Sequence, residues 1–256
     1  MYELTICAET VYPDLSFAER VQKITEAGFK VEFWDWRDKS GDDLEKVTGI
    51  TRGFSGSRLG SMMHPDGVDE WLRDLEESIE VAERIGCRNL FIATGAFGPN
   101  YEAAHPIAES PIVRWITAYK TLHRGAEIAE EHGVVLNLEP LNTLVDHPGY
   151  PLPFAHDAAD LVREVDSPHM KVLLDVYHVQ IMQGHLSEQI RDARDVIGHV
   201  HIADVPGRGE PGTGEINYEA IARELKRGDF EGCVGLECYP KGDSGRAMEA
   251  FRTTFS

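Results

Sequence analysis

The sequence predicts an α/β protein that is a single (β/α)8 TIM barrel spanning residues 1–256. Short apolar runs alternate eight times with amphipathic segments, which matches eight strand–helix units in a chain of about 250 residues. Several helical segments end in a glycine just before the next apolar run. Because 256 residues are enough for one barrel of this size, no second domain is needed.

Eight apolar runs are the predicted strands of the barrel. They cover residues 3–8, 29–34, 50–55, 89–94, 134–139, 170–175, 198–203 and 232–237. The third run contains Gly53 and is followed directly by Gly56, and these two glycines predict a distorted strand. The longest predicted loop, residues 95–111, follows the fourth strand.

Helical periodicity predicts helices between the strands. They include residues 16–27, 68–85, 113–132 and 156–165, and a further helix that begins near residue 217. Ser16, Asp69 and Asn217 are residue types typical of helix N-caps and first turns. Strands joined by such helices form right-handed crossovers, which close a parallel sheet.

The net charge of the chain argues against nucleic acid as a partner. The formal charge is -19, and Lys and Arg form no compensating stripe. The first ten residues are acidic where a signal peptide is basic, and the longest uncharged run, residues 89–101, contains two glycines and a proline. We therefore expect a cytoplasmic protein with no membrane partner. The excess of acid also fits adaptation to high salt, which stays open.

The four cysteines predict buried free thiols rather than a disulfide framework or a zinc site. Cys7, Cys87, Cys233 and Cys238 show no C-x-x-C spacing, and three of them lie in apolar, strand-like stretches.

Three glycines, Gly207, Gly209 and Gly212, form a G-x-G-x-x-G string. The dinucleotide-binding motif needs these glycines in a tight turn that opens directly into a helix. Here Pro206 and Pro211 interrupt the loop and the next helix begins only near residue 217. The string therefore does not predict dinucleotide binding.

Four successive strands end in residues that bind metals, namely Glu139, Asp175, His201 and Glu237. In a barrel of this kind the carboxyl ends of the strands meet at one mouth, so we expect these side chains to form a ring. Three carboxylates crowded together without a cation would raise one another's pKa and destabilise the fold. Oxygen ligands with one imidazole suit one divalent cation, Mg2+ or Mn2+, with Co2+ as an alternative.

Several strings in the C-terminal half resemble a known family. EPLN at 139–142, LLDVYHVQIMQG at 173–184, HVHIADVPGRGEPGTGEINY at 199–218 and GLECYP at 235–240 are similar to the hydroxypyruvate isomerases and 2-oxo-tetronate isomerases, within the xylose isomerase-like barrel superfamily. The resemblance implies that the four strand-end residues bind one divalent cation and that Glu139 and Glu237 shuttle a proton. The family often has glutamine at the seventh-strand position, whereas His201 is closer to the ketose 3-epimerases.

The implied activity is the metal-dependent isomerisation of a small 2-oxo or hydroxy acid, such as hydroxypyruvate to tartronate semialdehyde. A proton leaves the hydroxyl-bearing carbon, an enediolate forms, and a proton returns to the neighbouring carbon, with one glutamate on each side. A ketose 3-epimerase, a nuclease of the endonuclease IV type and a sugar-binding barrel without activity remain alternatives. The expected partner is a small molecule, and assembly into a homo-oligomer stays open.

Two residues near the ring are predicted to bind substrate. His178, in the loop at the rim, can donate a hydrogen bond to a substrate oxygen, although it could instead cap the next helix. Arg208 lies in a loop that glycine and proline keep non-helical, and its guanidinium can bind a carboxylate or an enediolate oxygen. An exposed surface arginine is the alternative.

Other residues are candidates for supporting positions. Trp34, Trp36 and Phe97 could shield the pocket from water or only pack in the core. Glu32 and Asn142 are expected to hold substrate or ligands in place. His199 lies deeper on the strand of His201 and is expected to be a hydrogen-bonded core residue.

Overall fold

A computed structural model describes residues 2–104 and 108–256 of the chain. Its eight parallel strands form a closed barrel in chain order, so the predicted (β/α)8 fold is confirmed. Each predicted apolar run contains or overlaps one strand. The strands are β1 Glu3–Cys7, β2 Lys30–Phe33, β3 Thr51–Ser55, β4 Asn89–Ile92, β5 Val135–Leu138, β6 Met170–Asp175, β7 Ile197–Ile202 and β8 Cys233–Leu236.

Helices surround the barrel and connect the strands. In the described residues they are α1 Phe17–Glu26, α2 Gly41–Val47, α3 Val68–Ile85, α4 Pro111–His132, α5 Ala155–Val165, α6 Val176–Met182, α7 Leu186–Ala193, α8 Tyr218–Arg227 and α9 Ser244–Phe255. Short 3-10 turns lie at Trp36–Asp38 and Pro65–Gly67. Three of the helices that the periodicity did not predict, α2, α6 and α7, are only seven or eight residues long.

The predicted N-caps are formed at α1 and α8. Ser16 makes a capping box with Glu19, whose carboxylate accepts a hydrogen bond of 2.9 Å from the Ser16 N–H. The side chain of Asn217 accepts from the Ala220 N–H at 3.1 Å. Asp69 lies in the first turn of α3, where a negative charge favours the helix dipole.

Glycines end α3 and α4 as predicted. Gly86 and Gly133 adopt left-handed conformations with φ of 70° and 64°, which a residue without a Cβ adopts readily. At the end of α8 the left-handed residue is Asp229, with φ of 51°, whereas Gly228 keeps a negative φ.

The predicted distortion near the third strand is an irregularity in its pairing. β3 is a continuous strand, but its register with β2 shifts between Val31 and Glu32. Gly53 allows the ring of Phe91 to cross the barrel, since a Cβ at this position would lie 2.0 Å from the ring. The loop after β4 runs from residue 93 to 110, of which residues 105–107 lie outside the described residues.

The four cysteines are buried and free, as predicted. Burial raises the pKa of both Cys87 and Cys233 to about 12, so neither thiol is ionised at neutral pH. Within the described residues, no helix combines the length and the apolar character that a membrane span requires.

Candidate active site

The four predicted metal ligands meet at the carboxyl end of the barrel. Glu139 follows β5, Asp175 ends β6, His201 lies in β7 and Glu237 follows β8. Each offers one ligand atom, and these atoms all lie within 4.8 Å of one another. The Nδ1 atom of His201 is 3.3 Å from a carboxylate oxygen of Glu237 and 3.9 Å from one of Glu139. We call these four residues the acidic ring.

The strand register explains why these side chains converge. Asp175 is the direct neighbour of His201 across the β6–β7 ladder. The backbone N–H of Glu139 donates to Ile92 of β4 at 3.0 Å, and that of Glu237 donates to Ile202 of β7 at 3.1 Å. Hydrogen bonds to the neighbouring strand therefore hold both glutamates, although each lies one residue beyond its own strand.

His201 supplies the observation that tests whether a cation fits. Its Nδ1 atom is buried, faces the carboxylates of the acidic ring and has no hydrogen-bond partner among the described residues. Buried polar atoms without a partner are rare in folded proteins and call for an explanation. One imidazole nitrogen and three carboxylates form a donor set that a divalent cation accepts. The residues present therefore fit a metal ion.

The two glutamates of the ring differ in proton affinity. Burial raises the pKa of Glu139 to about 8; attraction by His201 opposes the shift, and repulsion by Glu237 and Asp175 adds to it. Burial also acts against ionisation of Glu237, but Arg208 and His201 outweigh it and hold the pKa of Glu237 below its ordinary value. One ring therefore contains a carboxyl that retains a proton near neutral pH and one that remains ionised.

Arg208 is a buried partner of the ring and not a surface arginine. Its side chain is 11% exposed, and its Nη2 atom donates to Asp175 at 3.2 Å and to a carboxylate oxygen of Glu237. Its Nε atom donates to the Glu237 carbonyl at 3.2 Å. The backbone of Arg208 has a φ of 54°, an unusual conformation for a side-chain-bearing residue that the surrounding loop must hold.

The loop of Arg208 is organised around one buried carboxylate. Asp204 accepts hydrogen bonds from the backbone N–H groups of Gly212, Gly214 and Ile216 at 2.9 to 3.0 Å. The loop therefore folds back on itself, and it places Arg208 over the ring without any dinucleotide-type turn.

His178 lies in the first turn of α6, so the prediction that it lies in a loop is wrong. Asp175 caps this helix by accepting from the Tyr177 N–H at 2.8 Å, so His178 does not cap it. The Nδ1 atom of His178 accepts from the backbone N–H of Asn142 at 3.2 Å, which leaves the hydrogen on Nε2. Nε2 lies 3.4 Å from Asp175, and His178 lines the cavity.

The pKa of His178 lies well below its ordinary value because it is buried and Arg208 is near. The imidazole of His178 is therefore neutral and can donate its Nε2–H to an acceptor. Asn142 is fully buried and does not line the cavity. Its contacts place it to orient His178, so it supports a cavity residue.

A cavity of about 290 Å³ opens above the acidic ring. Glu139, His201, Glu237 and Arg208 form part of its lining, together with aromatic side chains. It is near the lower end of the range of small-molecule sites, about 300 to 1,000 Å³.

Comparison with known proteins identifies the family. The family model described as "Xylose isomerase-like TIM barrel" matches residues 27–254. The chain belongs to this family. It is 27% identical over 243 residues to the hydroxypyruvate isomerase of Escherichia coli K12, covering 90% of this chain and 91% of that protein. It is 28% identical over 254 residues to the 2-oxo-tetronate isomerase of Haemophilus influenzae, covering 94% and 95%.

A similar solved structure is that of a protein from Brucella melitensis named "AP endonuclease, family 2". Its TM-score is 0.86 with 28% sequence identity, and the match covers 99% of each chain. With its sequence relatives named as isomerases, the present chain is an isomerase of the xylose isomerase-like family.

The three aromatic residues that the sequence predicts to shield the pocket or pack in the core differ in position. Trp34 and Phe97 line the cavity, and the Trp34 Nε1–H donates to Glu237 at 2.6 Å. Trp36 does not line the cavity; its Nε1–H donates to Ser78 on α3 at 3.0 Å. Of these three aromatic residues, only Trp36 is placed as a packing residue.

Glu32 lies below the ring and is 1% exposed. It does not line the cavity, and it contacts His201 and His199 instead. Its position suits a role in holding the side chain of His201, a predicted metal ligand, and not contact with substrate.

Sequence reasoning missed several residues that line the cavity. They include Ser55, Ser57, Arg58, Tyr101, His147 and Tyr239. The first three lie at the end of β3 or just after it, and the strand-end rule that identified the acidic ring would have found them there. Arg58 is notable because its guanidinium is 3.6 Å from Asp35 and makes no hydrogen bond to protein within the described residues.

Proposed function

We propose that this isomerase converts a small 2-oxo or hydroxy acid, hydroxypyruvate to tartronate semialdehyde or a close analogue. The observation that carries the proposal is the pair of unlike glutamates, Glu139 and Glu237, on either side of the orphaned His201 nitrogen. Relatives that align over nine-tenths of the chain have hydroxypyruvate and 2-oxo-tetronate isomerase activities in their names, which supports the same class of substrate.

The acidic ring is the proposed site of one divalent cation, Mg2+ or Mn2+, with Co2+ as a further candidate. Glu139, Asp175, His201 and Glu237 would hold it. When bound, the cation supplies Lewis-acid stabilisation of the negative charge that develops on the substrate oxygens. Because Glu139 must lose its proton before it can act as a ligand, cation affinity depends on pH.

The proton transfer follows from the unlike proton affinities of the two glutamates. Glu237, kept ionised by Arg208 and aligned by Trp34, accepts the proton from the hydroxyl-bearing carbon of the substrate. As a ligand of the cation Glu139 is ionised, so it first takes the proton of the substrate hydroxyl, which becomes the carbonyl, and then delivers that proton to the neighbouring carbon. Reversal of these roles gives the reverse reaction.

Three groups of the cavity suit an anionic substrate. His178 offers a neutral Nε2–H, and the guanidinium of Arg58 lines the same cavity. Arg208 supplies a second guanidinium, whose Nη2 is held by carboxylates of the acidic ring. A small carboxylate therefore finds both charge complementarity and a donor near the ring.

The net charge of the chain argues against the nuclease alternative. A DNA backbone would face a chain with a formal charge of -19. The acidic ring contains one histidine, whereas a cluster of two or three zinc ions would need more. A ketose 3-epimerase is the second candidate, because His201 stands where the resembling isomerases often have glutamine.

Add-back of cations to chelator-stripped protein tests the proposal. We expect Mg2+, Mn2+ or Co2+ to restore conversion of hydroxypyruvate or 2-oxo-tetronate, and Glu237→Gln to remove it by about 10²- to 10⁴-fold. Trp36→Phe, which changes an aromatic residue outside the cavity, is the matched control. Conversion of ketoses but of neither acid would favour the epimerase, and turnover without added cation would contradict the metal requirement.

A further inference from the structure

Directly beneath the acidic ring, a buried carboxylate joins two histidines. Glu32 of β2 approaches the Nε2 atoms of His201 and His199 on β7 at 3.0 and 2.7 Å. The hydroxyl of Thr5 on β1 donates to the same carboxylate. All four residues are at most 3% exposed, so water does not compete for these contacts.

The barrel makes room for this carboxylate at one glycine. A Cβ on Gly235 of β8 would lie 2.4 Å from a carboxylate oxygen of Glu32. Any larger residue at this position would therefore displace Glu32 from His201. Burying a carboxylate at this depth costs free energy unless it is paired; His201 and Thr5 hydrogen-bond to it, and the Nε2 atom of His199 lies close by without a hydrogen bond to it.

The contact determines how His201 faces the ring. When His201 acts as a ligand, a hydrogen on Nε2 that points at Glu32 leaves the lone pair of Nδ1 directed at the carboxylates above. Phe91 fixes the plane of the imidazole by an edge contact with ring centroids 5.1 Å apart, and His199 does so from below at 5.1 Å. These contacts fix the orientation of the His201 imidazole, and its Nδ1 atom faces the acidic ring.

We propose that Glu32 is a positioning residue of the metal site, which holds the Nε2–H of His201 so that Nδ1 is presented to the cation. This proposal rests on the proposed cation in the acidic ring. Carboxylates that orient a metal-binding histidine in this way typically account for about 10- to 100-fold of the metal affinity. Glu32 touches neither the cavity nor the ring carboxylates, so its effect passes through His201.

Mn2+ binding to the full-length, chelator-stripped protein tests the proposal without any substrate. Glu32→Gln preserves the shape of the side chain and removes its charge, and we expect it to weaken Mn2+ binding by about 10-fold or more, measured from the signal of free Mn2+ in electron paramagnetic resonance. The same change in a His201→Gln background should alter the affinity by less than about twofold, because the histidine through which Glu32 acts is absent. Equal losses in both backgrounds would overturn the proposal.

Asp74→Asn provides the matched control for loss of a buried carboxylate. Asp74 on α3 is 2% exposed and binds Arg37 and the backbone N–H groups of residues 58 and 59, outside the acidic ring. We expect this variant to lose thermal stability and to bind Mn2+ like the wild type. A comparable loss of Mn2+ affinity would show that Glu32 has only a structural role.

A measurement on the unaltered protein covers the case in which the variants do not fold. The 15N shifts of the His201 imidazole in the Mg2+-loaded protein should show a protonated Nε2 and an unprotonated Nδ1. The opposite tautomer would overturn the proposal. Neither this result nor the Mn2+ titration depends on hydroxypyruvate turnover, so a failed activity assay would contradict the proposed substrate and not the role of Glu32.

Discussion

Glu139→Gln should remove a pH-dependent penalty from the stability of the metal-free protein. The pKa of Glu139 is raised from 4.5 to about 8 by burial and by the other carboxylates of the ring. Because the folded state keeps a proton that the unfolded state loses, stability falls as pH rises through this interval. Glutamine has no proton to lose, so the variant lacks this part of the pH dependence.

The size of the effect follows from the two pKa values. Each unit of pKa difference corresponds to about 1.4 kcal/mol, so the raised pKa of Glu139 costs about 1 kcal/mol of stability at pH 5.5 and about 4 kcal/mol at pH 8. Between these pH values the wild type should therefore lose about 3 kcal/mol that Glu139→Gln does not lose. For a chain of this size that difference corresponds to about 6 to 12 °C in Tm.

Denaturant or thermal unfolding of chelator-stripped protein at both pH values measures this difference. Glu237→Gln is the matched control with the opposite sign, because Arg208 and His201 lower the pKa of Glu237 and its charge stabilises the fold above its ordinary pKa. We therefore expect Glu237→Gln to lose stability at pH 8. Parallel pH dependence in the wild type and Glu139→Gln would refute the assignment of the raised pKa to Glu139.

Three further changes test the site. Arg208→Lys should lower kcat/KM on hydroxypyruvate nearly as much as Arg208→Ala, about 10- to 100-fold for a lost charge-assisted contact, because a lysine cannot reproduce the planar fork; unaltered kinetics in both variants would exclude a role for this arginine. Trp34→Phe, which removes the hydrogen bond to the ionised Glu237 but keeps an aromatic wall, should lower kcat by about 10-fold or more, the usual value of a hydrogen bond to a charged group. Trp36→Phe should not lower it. Mn2+ binding near pH 7 should release protons from Glu139 and His201, and so give calorimetric enthalpies that vary with the ionisation enthalpy of the buffer; enthalpies independent of buffer would contradict this.

The barrel and the acidic ring were predictable because both depend on local signals. Alternating apolar and amphipathic segments report burial directly, and each barrel strand ends at the same mouth. Residues at four successive strand ends must therefore be neighbours, whatever the details of the loops. The spacing of Glu139, Asp175, His201 and Glu237 contained this information without any knowledge of side-chain contacts.

The supporting residues were less predictable because their roles depend on contacts distant in sequence. Glu32 of β2 contacts His201 of β7 in the barrel interior, where Gly235 of β8 leaves space for its carboxylate. The direction of Trp36 depends on a 3-10 turn that packs against Ser78 of α3. The sequence predicts a loop at His178 because α6, which Asp175 caps directly at the end of its strand, is too short to show helical periodicity.

Turnover of hydroxypyruvate in D2O by the Mg2+-loaded protein, followed by proton NMR, tests the central claim most directly. Proton transfer through Glu139 and Glu237 predicts a product that has deuterium at the carbon that became hydroxyl-bearing, formed only when the cation is present. Product without deuterium, or deuterium incorporation at the wild-type rate in either glutamate-to-glutamine variant, would contradict the account.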